Sequence, residues 1–164
     1  MIDRLIKHFK LSPHPEGGFF SETYRASGLI PANVFKGSFD GNRSISTAIY
    51  FLLPKGEVSH FHRIKSDEIW HFYKGGPLTI VELCEKEAPK QTILGCDIDA
   101  GETPQYVVRA GTWFAAFPCS HSEFSFVGCT VAPGFDFFDF ELGDEKALLK
   151  RFPGASAVIK KLTK

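Results

Sequence analysis

Three of the six histidines in this 164-residue chain fall in one short stretch between Gly56 and Gly76. They are His60, His62 and His71, accompanied by the acidic pair Asp67-Glu68 and by Trp70, one of only two tryptophans. Imidazoles two residues apart, with a carboxylate close behind, suit either of two chemistries. Neutral imidazoles can bind a metal with a hard oxygen donor, or an imidazole and a carboxyl group can pass a proton between them. Read at period two, the stretch forms two short strands joined by the polar turn Lys65-Ser66-Asp67. Alternate side chains point the same way, so His60, His62 and Ile64 share one face. On the second strand Glu68, Trp70 and Phe72 share a face, with Ile69, His71 and Tyr73 opposite. With the first set turned inward, two imidazoles and a carboxylate converge inside a barrel.

His60, His62 and Glu68 are therefore the candidate metal ligands, since two histidines and one carboxylate form a known arrangement for iron or zinc. Without a metal, Glu68 set among Trp70 and Phe72 is a candidate general base or acid with a shifted pKa, and His62 is its proton partner. The plainer alternatives are a rim glutamate paired with Arg63 or Lys65, and histidines that only hydrogen-bond at a polar strand end. His71 is expected on the opposite face, in packing, and His121 in a polar surface loop. Glu16-Gly17-Gly18 lacks the glycines and lysine of a phosphate-binding loop and reads as a turn. No G-x-S-x-G element supports a serine hydrolase.

The residues that must position this stretch are mostly strand formers. The length suits one domain, residues 1–164, with a sizeable core. Seventeen phenylalanines point to a core or pocket lined with aromatic rings. Nineteen basic side chains balance nineteen acidic ones, so no overall field favours nucleic acid or an anionic membrane. No apolar run is long enough to span a membrane and no signal peptide is evident. Cys84, Cys96, Cys119 and Cys129 form no C-x-x-C pair and read as reduced, mostly buried thiols of a cytoplasmic protein. Only Cys119, next to Ser120-His121, has the setting of a nucleophile.

Ile2, Leu5, Ile6 and Phe9 recur at helical spacing over residues 2–10, and Pro13 and Pro15 end that helix. Phe19 to Arg25 alternates as a strand. Residues 26–43, rich in glycine and proline, form a long loop suited to be a lid over a pocket. Strands are expected at 45–53, 57–64, 68–73, 78–84, 91–98, 105–108, 112–117, 124–131 and 135–142. Many short strands without intervening helices argue for an all-β sandwich or barrel over residues 44–142. The tail at 143–164 returns to helical spacing, broken by Pro153-Gly154.

The central stretch resembles the first motif of the cupin superfamily, G-x5-H-x-H-x3,4-E-x6-G. Gly56, His62, Glu68 and Gly75 fall in register, and Ile64 stands where the second histidine belongs. The second cupin motif is matched only at Gly111, with Phe114 in place of its metal-binding histidine. A closer resemblance is to the Cupin-5 branch, a group largely without assigned activity. It rests on His14-Pro15-Glu16-Gly17-Gly18, Glu22-Thr23-Tyr24-Arg25 and Ser66-Asp67-Glu68-Ile69-Trp70-His71-Phe72. Ala110-Gly111-Thr112-Trp113-Phe114 and Gly128-Cys129-Thr130-Val131-Ala132-Pro133-Gly134-Phe135-Asp136-Phe137 extend it. His60 is not a landmark of that branch.

The resemblance implies a double-stranded β-helix, or jelly-roll barrel, with short terminal helices, and a homodimer. Within such a barrel, His60, Ile64, Trp70, Phe72 and Phe114 are the candidate residues for binding a small molecule. Three readings follow. In the first, His62 and Glu68 work as a metal-free acid/base pair on a sugar-like or nucleotide-linked substrate, as in an epimerase or isomerase. In the second, a divalent metal sits on His60, His62 and Glu68. In the third, the aromatic cavity holds a ligand without turnover.

Overall fold

Period-two alternation in the middle of the chain produces two large antiparallel sheets, described here from a computed structural model that covers residues 1–85 and 87–164. Before them, helix α1 (Ile2–Phe9) is followed by β1 (Ser12–Pro13) and β2 (Phe19–Arg25). The strands β3 (Leu29–Ile30), β4 (Arg43–Ser44), β5 (Thr47–Pro54), β6 (Ser59–Arg63) and β7 (Asp67–Gly75) come next. Then follow β8 (Leu78–Glu82), β9 (Lys90–Leu94), β10 (Gln105–Val108), β11 (Phe114–Pro118), β12 (Phe124–Ala132) and β13 (Glu141–Leu142). Helices α2 (Glu145–Arg151) and α3 (Ser156–Leu162) close the chain.

The six-stranded sheet has the order β1-β2-β5-β12-β7-β10, and the five-stranded sheet the order β13-β6-β11-β8-β9. β3 and β4 pair separately. The inner faces meet in one buried cluster that takes Phe51, Trp70, Val108, Val127 and Cys129 from the first sheet and Leu78, Ile80, Phe114 and Ala116 from the second. Each outer face is covered by helix. Leu5 of α1 packs with Leu52 and Phe126, and Leu148, Ile159 and Leu162 of α2 and α3 pack with Phe61, Val81 and Ala115. Asp144 caps α2 by accepting a hydrogen bond from the Ala147 N–H at 2.9 Å.

The mostly β composition and the terminal helices match the sequence reading, but the expected closed jelly-roll barrel does not. A barrel needs a continuous ladder between edge strands. Here the sheets stay separate and antiparallel, and none closes on itself. Near one pair of edges the links are the Leu94–Thr103 bridge and the bonds from Gly95 N–H to Thr103 O and from Thr103 N–H to Ile93 O, at 2.9 and 3.0 Å. Regular strand spacing suits a sandwich as well as a barrel, and it cannot distinguish them.

Two further expectations change. Residues 135–142 form no long strand. The Asp136 side chain accepts from the Phe138 N–H at 3.0 Å and starts a short 3-10 turn, Phe137–Asp139, before β13. The 26–43 segment is no plain loop, since it carries β3 and a 3-10 turn at Ala32–Phe35. Its end is tied down where the Arg43 guanidinium donates twice to Asp139, Nε to Oδ2 at 2.6 Å and Nη2 to Oδ1 at 2.7 Å. Both side chains are buried, and losing one partner leaves the other charge shielded and unpaired. Asp139→Ala is expected to lower unfolding free energy by about 2 kcal/mol or more, with Arg43→Met/Asp139→Leu recovering part of that loss. Urea denaturation checks this, and an unchanged midpoint in Asp139→Ala would contradict it.

Candidate functional site

Strand register sets out the floor of the site row by row. Side chains directly opposite in an antiparallel pair lie on one face. Arg25, Thr47, Val131 and Glu68 form one such row across β2, β5, β12 and β7. Glu22, Ile49, Cys129 and Trp70 form the next inward-facing row. His71 belongs to the intervening outward row with Tyr50 and Gly128. Its ring nitrogens contact Thr130 Oγ1 at 3.0 Å and Gln105 Nε2 at 3.2 Å, away from the site, as the sequence indicated.

The facing sheet supplies His62, opposite Phe114, with ring centroids 4.2 Å apart. Here simple alternation fails. β6 pairs with β11 at Phe114–His62 and again at Ala116–Ser59, so three steps on β6 match two on β11. This bulge reverses the facing of the residues before it. Ser59 and His62 both face inward, while Phe61 packs outward among the helices. His60 does not share a face with His62. Its ring lies against the α3 end, with Nδ1 3.3 Å from the Leu162 carbonyl.

Glu16 occupies the inner position beside His62. The turn that places it requires glycine. Gly17 has φ +112°, and a side chain there would collide with the Val58 carbonyl. The turn is held by the bonds from His14 N–H to Gly18 O and from Gly17 N–H to His14 O, both 3.0 Å. The His60 N–H then donates to Glu16 O at 2.9 Å. Ser59 Oγ donates to Glu16 Oε1 at 2.8 Å, and His62 Nε2 lies 3.2 Å from Glu16 Oε2. His14 Nδ1 is 3.3 Å from both the Glu16 backbone N and Oε2.

These contacts fix a proton. A carbonyl only accepts, so the 2.7 Å contact between His62 Nδ1 and His60 O requires a proton on Nδ1. In a neutral ring Nε2 is then an acceptor, and Glu16 must carry the proton between them. Burial supports that assignment, because it raises the Glu16 carboxyl and lowers His62 from their ordinary values. Both shifts favour the pair as a neutral acid donating to a neutral imidazole over a buried carboxylate against an imidazolium. His14 is also lowered, chiefly by burial.

Glu68 differs. Burial, opposed by His62 and reinforced by Glu16, pushes it up to about 7. Its Oε2 and the Trp70 indole Nε1 are buried without a well-aligned hydrogen-bond partner among the described residues, but the indole and the Cys129 thiol lie close enough to favour the ionised carboxylate. The Cys129 thiol, also raised by burial, lies beside it. These groups line a cavity of about 230 Å³, whose walls include Phe20, Phe51, Phe135, Phe137 and Phe140. Glu22, Arg25 and Asp136 lie at its charged end.

Of the residues singled out in the sequence, His62, Ile64 and Glu68 line this cavity. Trp70 and Phe114 lie behind it in the buried cluster, Phe72 packs at that cluster's margin, and His60 is turned away. No residue of 26–43 lines the cavity, so the expected lid is replaced by Phe135–Phe140. Sequence reasoning missed Glu16 and His14, although their His-Pro-Glu-Gly-Gly run was visible as a family landmark. A divalent metal does not fit the present donors. Ile64 and Phe114 stand at two cupin ligand positions, His60 is turned away, and both Glu16 oxygens are engaged. Among the described residues no three His, Cys, Asp or Glu side chains are grouped to hold an ion.

The chain is thus a mostly β protein with a cavity between its two large antiparallel sheets. It belongs to the cupin superfamily branch described as DUF985, whose family model matches residues 3–143. Protein SO0799 from Shewanella oneidensis is 42% identical, with a TM-score of 0.87 over 99% of this chain and 96% of that one. A hypothetical protein from Leishmania major is 31% identical, with a TM-score of 0.89 over 98% and 97%. The uncharacterized protein YML079W of Saccharomyces cerevisiae is 32% identical over 147 residues, 84% of this chain and 73% of that protein. No helix among the described residues is long and apolar enough to cross a membrane.

The raised Glu68 links stability to pH. The folded chain keeps this proton up to about 7, whereas the unfolded chain releases it near the ordinary value of 4.5. The Glu68 contribution therefore falls as pH rises through that window, by up to about 3 kcal/mol. The lowered histidines act oppositely, losing stability as pH falls below 6.5. Glu68→Gln should accordingly gain stability relative to wild type between about pH 5 and pH 8. Parallel stability–pH curves from urea denaturation would contradict this.

Proposed function

We propose that this protein binds a compact carbonyl compound between its sheets and moves a proton on it, as an isomerase or epimerase does. The observation that carries the reading is a pair of buried carboxyl groups in different states. Glu16 lies 3.2 Å from His62 Nε2 with burial favouring its protonated form, while Glu68 has a pKa near neutrality. Carboxyl groups held apart in this way supply an acid and a base at one pH.

In the proposed step Glu68 removes a proton from the carbon next to the substrate carbonyl. The C–H electron pair forms the C=C bond of an enediol, and the carbonyl oxygen takes the proton from the Glu16–His62 pair. Return of a proton to carbon from the other side inverts that centre, and return to the neighbouring carbon moves the carbonyl. The Phe137 and Phe140 rings form part of the cavity wall. No metal enters the step.

The size of the cavity supports a substrate no larger than a simple aldose or ketose. About 230 Å³ is room for about eight waters at liquid density. A nucleotide-linked sugar lacks support here, because the one arginine of the lining is already bound to Glu22.

The test is proton NMR of small aldoses, ketoses and their amino derivatives in D2O with the purified protein. Loss of the signal from the carbon next to the carbonyl is expected. It should slow by about a hundredfold or more in Glu68→Gln and in His62→Gln. Exchange that persists unchanged in Glu68→Gln would overturn the assignment of the base. Saturable binding without exchange between pH 6 and 8 would support instead a binding protein without turnover, the reading that the aromatic walls favour.

A further inference from the structure

The cavity combines the buried Glu68 carboxyl, aromatic walls and an excess of acidic side chains. Beside the Glu16 carboxyl, which burial favours as the neutral acid, Glu22, Glu68 and Asp136 line the cavity against the single guanidinium of Arg25. That guanidinium is committed. Its Nε donates to Glu22 Oε1 at 2.9 Å, and its Nη2 donates to Glu22 Oε2 at 2.7 Å and to the Phe135 carbonyl at 3.2 Å. Asp136 lies in the field of the same Arg25 guanidinium without a hydrogen bond to it among the described residues, and its Oδ1 accepts the Phe138 N–H that starts the 3-10 turn. An anionic ligand would therefore meet carboxylates without a free positive group to offset them.

The inner end asks for a donor. Glu68 is 8% exposed and lines the cavity; its Oε2 is shielded beside the Trp70 indole and the Cys129 thiol, so a ligand meets the accessible remainder of the carboxyl. A buried carboxyl so placed gains most from a ligand N–H, and more if that N–H is charged. The walls point the same way. His14 stacks on Phe137 at 6.0 Å between centroids, and Phe135, Phe137 and Phe140 lie edge to face at 5.0 to 6.4 Å. The ring faces carry negative potential and attract a cation as well as its carbon body.

We propose that the cavity selects a compact organic ammonium ion, with its N–H directed at the Glu68 carboxylate and its carbon body against Phe137 and Phe140. This rests on the reading of the cavity as the ligand site, and not on turnover. It narrows the substrate of the proposed chemistry to an amine-bearing carbonyl compound.

The test uses three probes of one shape, benzylammonium, benzyl alcohol and benzoate, titrated into the full-length protein by calorimetry at about pH 8, where Glu68 is ionised. Benzylammonium is expected to bind about tenfold or more tightly than benzyl alcohol, and benzoate more weakly than either. Glu68→Gln should weaken the ammonium by about tenfold and leave the alcohol within about threefold. Phe137 is half-exposed, so Phe137→Leu tests the aromatic wall without disturbing the core, and it should weaken the ammonium more than the alcohol. Equal affinities, a preference for benzoate, or no saturable binding of any probe at about 10 mM would overturn the proposal. Failure of the acid/base reading appears separately, as absent exchange in D2O with the ammonium preference intact.

Discussion

The site depends on burying one carboxyl group where it would ordinarily be unwelcome. An ionised glutamate at the depth of Glu16 is costly unless it is paired or made neutral. The chain meets that constraint with Ser59 on one oxygen and His62 on the other. Each partner has a backbone reason to be there. The Gly17-Gly18 turn lets residue 16 approach β6, the bulge on β6 brings Ser59 and His62 to one face, and the His60 carbonyl fixes the His62 tautomer. Strand pairing, turn chemistry and proton position are consequences of a single arrangement.

Glu68 sits in the same cavity and answers burial differently. It has a raised pKa and an unpaired oxygen, where Glu16 has three polar neighbours. One carboxyl is thus held by polar side chains, and the other lines the cavity with a proton poised near neutrality. The Phe135–Phe140 segment, anchored through Arg43 and Asp139, covers both and keeps the cavity apolar around its polar inner end. That division between the two carboxyl groups underlies both the proposed proton transfer and the proposed preference for an ammonium group.

Much of this was legible in the sequence where local pattern decides. Phe19 to Arg25 alternates and is a strand over those residues, and the inward placing of His62, Ile64 and Glu68 follows from the cupin register. What escaped was set by contacts distant in the chain. The bulge that separates His60 from His62 depends on how β6 meets β11, more than fifty residues later. Phe135 to Leu142 reads as an apolar strand, but the Asp136 cap turns it into a 3-10 wall. Glu16 looked like part of a turn because nothing nearby shows that its side chain reaches Ser59, forty-three residues away. Whether the sheets close also depends on edges that strand spacing does not describe.

The most direct test of the Glu16–His62 arrangement is a nitrogen-15 NMR spectrum of the imidazole side chains at pH 7, assigned with a His62→Gln control. The account predicts a neutral His62 ring protonated at Nδ1, with Nε2 an acceptor, and loss of that hydrogen bond in Glu16→Ala. A neutral ring protonated at Nε2, or an imidazolium at that pH, would contradict it.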